Sequence, residues 1–226
     1  MPQLKVISSA MRTDPIASDI RTDPAQSGQV SGLGPSISLG DLALRLRRDG
    51  GLTVASSSTA VAEIVPDSFR HVIAFQKGLR SMMRGLSFRL TRTSLREFQW
   101  LLAPKYLERS LTQHRIMDPD PSRRALNAVQ RNLQRTLPHL ADVEIAQRWG
   151  GYIDVTPDAI PVISTVAEHP GLTIGTGFSG HGFGIGPAAG RALAELASGR
   201  KPTLDLTPFR FERFSDGSEI ELQSWL

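Results

Sequence analysis

Apolar and polar residues alternate in short stretches along the front of the chain, the period of half-buried strands. Leu4 to Met11 alternates in part and reads as a strand, which Thr13-Asp14-Pro15 ends. Residues 17–39 are rich in Ser, Gly, Pro and Asp and read as a loop with a short strand near Ile37. Leu42, Leu44 and Leu46 alternate with Arg45 and Arg47, a strand with one polar face. Asp49-Gly50-Gly51 is a hairpin turn, because Gly tolerates positive φ, and Leu52 to Ala55 returns as the paired strand. Phe69 to Leu90 reads as a helix, with Val72, Ile73, Phe75, Leu79, Met82 and Met83 available for burial, and Ser94 to Trp100 as another. Residues 104–121 are proline-punctuated and irregular. Ser122 to Leu137 is a strongly amphipathic helix: Ser122 suits the N-cap, Leu126, Val129, Leu133 and Leu137 share a face, and Pro138 stops it.

The last third returns to strands. Val143 to Val155 reads as a strand pair, or one bent strand, around Gly150-Gly151. Thr156-Pro157-Asp158-Ala159 is a turn, Ile160 to Ile163 a short apolar strand, and His169-Pro170-Gly171 another turn. Leu172 to Ile174 is a strand that runs through a glycine-dense turn into an amphipathic helix ending near Gly199, after which residues 201–214 read as an extended tail. The expected fold is α+β: a mixed or antiparallel sheet with flanking helices over residues 1–165, then a C-terminal strand–helix piece over residues 166–226.

The length suits one large domain or two small ones. No apolar run approaches 18 residues, so no transmembrane helix is expected. The first twenty residues carry Lys5, Arg12, Asp14 and Asp19 and do not resemble a secretory signal. There are no cysteines, which excludes a disulfide scaffold and a thiolate metal site and is compatible with a cytoplasmic location. The five histidines show no metal-ligand spacing. The net charge of +4 is spread over groups such as Arg45, Arg47, Arg48 and Arg123, Arg124 rather than clustered with aromatics. That favours solvated surface, or a field for an anionic cofactor or substrate, over nucleic acid.

Chemistry concentrates in Gly171 to Ser198, where Gly175, Gly177, Gly180, Gly182, Gly184 and Gly186 leave almost no side chain around the turn. Backbone N–H groups can then approach a ligand closely, and the helix behind adds its positive N-terminal end. Gly175-Thr-Gly177-Phe-Ser-Gly180 fits GxGxxG. That fingerprint, however, opens a βαβ unit with an acidic residue roughly 20 positions on. Here the distance lands on Glu195, inside the helix, with no second strand following. The remaining readings are a clasp for the electron-rich edge of a flat cofactor and a turn that only packs a helix on a strand. Gly177-Phe-Ser179-Gly-His is not GxSxG, which argues against a hydrolase elbow.

Three sets of residues carry a family resemblance: Arg148-Trp149-Gly150-Gly151, Thr156-Pro157-Asp158-Ala159-Ile160-Pro161-Val162-Ile163, and Gly177-Phe178-Ser179-Gly180-His181-Gly182-Phe183-Gly184. With Gly171-Leu172, Pro187, Gly190, Pro208-Phe209 and Arg213-Phe214, they resemble the D-amino-acid oxidase-like superfamily of FAD-dependent amine oxidoreductases. Val6 to Pro15 and Arg45 to Gly51 resemble its earlier strands, while residues 60–120 match less well. The resemblance implies FAD, met by residues 177–184 near N1 and the C2 carbonyl of the ring. It also implies hydride transfer from a C–N bond to flavin, giving an imine that water hydrolyses.

Several residues are candidates to bind substrate. Arg45 would grip a carboxylate, its alternative being a surface arginine of the hairpin. Tyr152 would hydrogen-bond or simply pack. His181 would face the substrate or bond to backbone. Some glycine- and D-amino-acid-oxidising relatives place an arginine just after the Trp-x-Gly strand, where this chain has Tyr152-Ile153-Asp154. Asp154 would attract a cation or stabilise a turn, and Asp158 would make an Asx-type turn. No catalytic base is assigned. The family also opens with a GxGxxG unit that grips the ADP half of FAD, and this chain has no such unit near its N-terminus. The expectations are a fragment, a subunit completed by a separate GxGxxG-bearing chain, or a remodelled partner-binding protein without flavin.

Overall fold

A computed structural model describes residues 1–16, 36–56, 59–76, 85–103, 105, 107, 112 and 117–221. Its centre is β1 (Leu4–Thr13), which pairs antiparallel along its whole length with β7 (Ile145–Val155). Its other edge is shared by two strands. β4 (Leu52–Ser56) lies beside Ala10 to Arg12, and β5 (Ala60–Glu63) lies beside Val6 and Ile7. The sheet then widens through β3 (Leu42–Leu46) and β2 (Ser36–Leu39) next to β4, and through β6 (Leu86–Arg89) parallel to β5. The β3–β4 hairpin expected around Asp49-Gly50-Gly51 forms, with the Gly51 N–H donated to Asp49 Oδ1 at 3.0 Å.

The two faces of this sheet differ. On one, Met11, Leu42, Leu44, Leu52 and Val54 form the main core with Leu126, Val129 and Leu133 of α3 (Arg123–Thr136). Ser122 caps α3, its hydroxyl accepting the Ala125 N–H, and its own N–H goes to the Ser9 hydroxyl at 2.9 Å. α2 (Arg92–Leu102), capped by Thr91, stands near the β5–β7 side, where Glu97 pairs with Lys5. The other face carries Ser8, Ala10, Arg12, Ala43, Arg45, Thr53, Ala55, Trp149 and Gly151, none of them buried. Its Val6–Ala62–Val155 end packs against Phe75.

Beyond the large sheet, β8 (Val162–Thr165) and β9 (Thr173–Thr176) form an antiparallel hairpin. α4 (Gly182–Ala197) packs on it through Ala189, Ala192, Leu193 and Leu196. A Cβ at Gly175 would stand 2.5 Å from Leu193 Cδ1, so glycine there is what lets helix and strand meet.

Two readings of the residue pattern change, one unsignalled strand appears and one alternative is resolved. The helix expected from Phe69 to Leu90 is instead a short α1 (Pro66–Arg70), a helical turn at residues 72–76, and the strand β6. Pairing with β5 overrides local propensity there, while Leu79, Met82 and Met83 lie outside the described residues. β5 itself had no signal in the pattern. Of the two alternatives for residues 143–155, the single strand forms, as Ile145–Val155, running through both glycines. A Cβ at Gly150 would meet Pro119 O at 2.6 Å, so Gly150 admits a crossing segment rather than breaking the strand. The tail folds into 3-10 turns at Thr207–Phe209 and Phe211–Phe214 rather than staying extended.

Candidate functional site

The glycine-dense stretch forms the turn between β9 and α4, and Asp154 at the end of β7 shapes it. Asp154 Oδ2 accepts the Gly177 N–H at 2.7 Å and the Thr176 hydroxyl at 2.8 Å. Its main-chain oxygen accepts the Ser179 N–H at 2.9 Å. The Gln3 side-chain amide donates to Asp154 Oδ1 and, at 2.8 Å, to Thr176. The turn-stabilising reading of Asp154 is therefore the one the geometry bears out. Gly177 has φ +71°, and a Cβ there would collide with Thr156 Cγ2. Ser179 adopts φ +50° without being glycine. Its hydroxyl donates to Gly177 O at 3.1 Å and accepts the Thr156 N–H at 3.4 Å, contacts that offset the strain of that backbone.

This wiring sorts the loop's donors. The N–H groups of Gly177, Ser179, His181 and Gly184 are spent inside the protein, on Asp154, Asp154, Phe178 and His181 in turn. Those of Phe178, Gly180, Gly182 and Phe183 have no acceptor among the described residues. Gly182 and Phe183 open α4, so the positive end of its dipole adds to theirs. Gly180 lies against Ile153, whose Cδ1 would be 3.8 Å from a Cβ there. A Cβ at Gly184, Gly186 or Gly190 would meet nothing within 4 Å, and Phe183 is fully exposed. The turn thus presents neutral donors beside open glycines and the exposed Phe183 ring.

The substrate candidates do not all gather here. Arg45 pairs across β4 with Thr53, opposite Arg12, which puts it on the same face as Ile153. It lies three strands from β7 and six residues along, about 20 Å in the strand direction alone. Tyr152 is on the other face. It pairs with Ile7 behind the sheet, donates to Glu63 Oε2 at 2.8 Å, and lies 3.4 Å from the Thr93 hydroxyl. Burial pushes its hydroxyl above the ordinary range; the Thr93 hydrogen bond opposes this and Glu63 adds to it. Tyr152 is thus bonded to Glu63, with Thr93 beside it, on the face of β7 opposite Ile153. His181 stands at the N-cap of α4, within the loop.

Two residues with defined roles were not singled out by the residue pattern. Glu63 is buried, and it also accepts the Thr91 hydroxyl at 2.5 Å. Arg213 makes a buried two-pronged pair with Asp158, at 2.8 and 3.1 Å, and donates to Ile160 O at 2.7 Å. Asp158 Oδ1 also accepts the Ile160 N–H, the Asx-type bond expected of it. Beneath the loop, this pair fixes the tail to the β7–β8 turn. A signal for it existed, since Asp158 and Arg213 both stand within the family-like segments.

Comparison with known proteins fits this geometry. Residues 18–196 match the family model described as FAD dependent oxidoreductase. The chain belongs to that family. Over 100 residues it is 34% identical to glycine oxidase from Pseudomonas aeruginosa, covering 44% of this chain and 28% of that protein. The structure of L-amino acid deaminase from Proteus myxofaciens, in complex with anthranilate, superposes with a TM-score of 0.77 at 28% identity. That match covers 95% of this chain and 45% of the deaminase. L-proline dehydrogenase from P. horikoshii shares the fold, with a TM-score of 0.60 at 21% identity over 98% of this chain and 42% of that one. This member therefore spans less than half the length of each of these relatives.

Family membership indicates FAD, and the loop's chemistry fits it. Neutral N–H donors at a helix N-terminus suit the oxygen-rich edge of a flavin ring, and Gly184 and Gly186, where a Cβ would meet nothing within 4 Å, leave open space beside them. The chain is related to amino-acid and amine oxidases, and its mostly antiparallel sheet with few helices is the fold it shares with such enzymes. Among the described residues no helix is long and apolar enough to cross a membrane, and no cluster of His, Asp or Glu suits a metal.

Proposed function

We propose that this chain is the substrate-binding and flavin-capping part of an FAD-dependent amine or amino-acid oxidoreductase. The observation that carries this reading is the set of unspent donors at Phe178, Gly180, Gly182 and Phe183, aimed from the start of α4 and held in place by Asp154. When bound there, flavin supplies the acceptor for the hydride of a C–N bond. The residues of this chain do the rest. Donors at the loop stabilise negative charge on the ring edge. Phe178 and Phe183 flank it, and Ser179 sets the backbone curve. His181 stands beside the donors and is the nearest of the candidates to an incoming amine. Arg45 and Arg12, across the uncovered sheet face, attract a carboxylate. Tyr152 supports the floor from behind through Glu63.

In this reading residues 1–165 form the substrate-binding unit and residues 166–226 the C-terminal segment of the FAD-binding domain. A GxGxxG-bearing segment supplies the grip on the ADP half, on a separate chain if need be. The test is to purify the chain alone and with the GxGxxG-bearing part of a relative, then record flavin absorbance after adding FAD. The expected result is yellow protein in the mixture, lost in Gly177→Ala. A mixture that stays colourless while both parts are folded would sink the proposal.

A further inference from the structure

Behind the sheet, opposite the glycine loop, lies an open cleft of about 700 Å³ between β6, β7 and the start of α3. Four arginines line it: Arg89 from β6, Arg148 from β7, and Arg123 and Arg124 from the first turn of α3. Asp120 is the one carboxylate among the lining residues, and Leu126 gives the cleft an apolar floor. Arg148 is on the α3 side because it pairs with Met11, a residue of the main core. Gly150 brings the helix start close to it, since its missing Cβ lets Pro119 and Pro121 lie flat on β7.

All four cleft arginines are exposed. Five arginines elsewhere pair with carboxylates: Arg47 with Asp49, Arg70 with Asp67, Arg191 with Glu195, Arg210 with Asp216 and Arg213 with Asp158. Among the described residues none of the four cleft arginines makes an ion pair or a side-chain hydrogen bond, even with Asp120 present. Two of them occupy the first turn of α3, which holds no acidic residue. The helix dipole disfavours cations at that end. Positive potential is thus gathered at some cost to the helix, and the first-turn N–H groups of Arg123 and Arg124 add to it, since Ser122 caps only Ala125.

We propose that this cleft is a binding site for a multivalent phosphate-class anion, distinct from the flavin loop. Its size falls within the range of small-molecule sites, roughly 300–1,000 Å³. Guanidinium groups suit phosphate oxygens through two-pronged bonds, and a ligand with at least two negative charges would satisfy several arginines at once. The apolar floor at Leu126 favours a phosphate attached to an organic group. The site does not depend on the flavin reading, because it stands on the other face of the sheet.

The test is calorimetric titration of inorganic pyrophosphate into the chain at ~0.05 M salt, where screening is modest. Saturable one-to-one binding tighter than about 1 mM is expected. Arg148→Gln, Arg89→Gln and the pair Arg123→Gln/Arg124→Gln should each weaken it by about tenfold or more. Arg48→Gln, in the distant hairpin turn, should not. The Arg123→Gln/Arg124→Gln protein should melt at or slightly above the unmodified temperature without ligand, which separates lost binding from lost folding. Absence of saturable heat up to about 10 mM overturns the proposal. So does equal weakening by Arg48→Gln, which would show diffuse charge only, and malonate binding as tightly as pyrophosphate removes the phosphate preference.

Discussion

At Asp154 one carboxylate holds two strands and a turn together, taking the Thr176 hydroxyl and the Gly177 N–H while its main-chain oxygen takes Ser179. Asp154→Ala should leave these donors unpaired and cost about 1–3 kcal/mol in a urea melt. It should also weaken FAD uptake in the complemented protein, because the turn loses its shape. Gly177→Ala acts on the same turn by a different route, since both its φ of +71° and its contact with Thr156 oppose a side chain. A loss of about 1–3 kcal/mol is expected from backbone strain and overpacking. Adding Thr156→Ser, which removes the colliding methyl but keeps the hydroxyl bonded to Ile160 O at 2.8 Å, should recover part of it. No recovery would show that the collision is not the cause. Arg213 and Asp158 are each about 5% exposed, so breaking the pair is costly in a way that removing it whole is not. Asp158→Ala or Arg213→Ala should each cost about 3–5 kcal/mol, measured by denaturant unfolding.

Helix α3 is the element that closes the main core. Leu133 is fully buried between it and the β1–β4 face, so Leu133→Ala should cost about 2–5 kcal/mol in the same assay. This helix was legible in the residues because its apolar stripe, its Ser122 cap and the stop at Pro138 agree. β6 was not. Leu86, Phe88 and Leu90 suit a helix or a strand equally, and parallel pairing with β5, a partner 26 residues earlier in register, decides between them. The tail misleads for a related reason. Pro202 and Pro208 suggest extension, but bonds to α4 and to the β7–β8 turn fold it back: Glu195 accepts the Thr203 N–H at 2.8 Å, and Arg213 reaches Asp158. At the end of the tail, Ser218 and then Arg210 hold the Asp216 carboxyl down to about 2 from 3.8. A depressed carboxyl stabilises the fold fully above its unfolded value and loses that contribution as pH falls through the folded one. Melting temperature should therefore drop between pH 3.8 and about 2 more steeply in the unmodified protein than in Asp216→Asn.

On the scale of the whole molecule, the described residues cover one face of the sheet and leave much of the other open. The open face has small floor residues at Ser8, Ala10, Ala43, Ala55 and Gly151, and the loop stands at its β7 end. Phe183 projects fully into solvent beside that loop. It contributes no packing, so Phe183→Ser should change the unfolding free energy of the isolated chain by less than about 0.5 kcal/mol. The same variant should weaken flavin uptake in the complemented protein, and an unchanged uptake would remove Phe183 from the site. The family, the hairpin, α3 and the glycine turn were determined by the sequence alone, because each rests on contiguous residues whose spacing and local conformation signal them. Which way each side chain faces was decided only by the tertiary structure. Tyr152 and Ile153 are neighbours in the chain, yet pairing with β1 sends one behind the sheet to Glu63 and the other toward the loop. The same pairing brings Arg148 to the distant Arg123 and Arg124, and gives Asp154 to Gly177. Long-range register, not local preference, sets these contacts, and a strand one residue out of step would reverse every one of them.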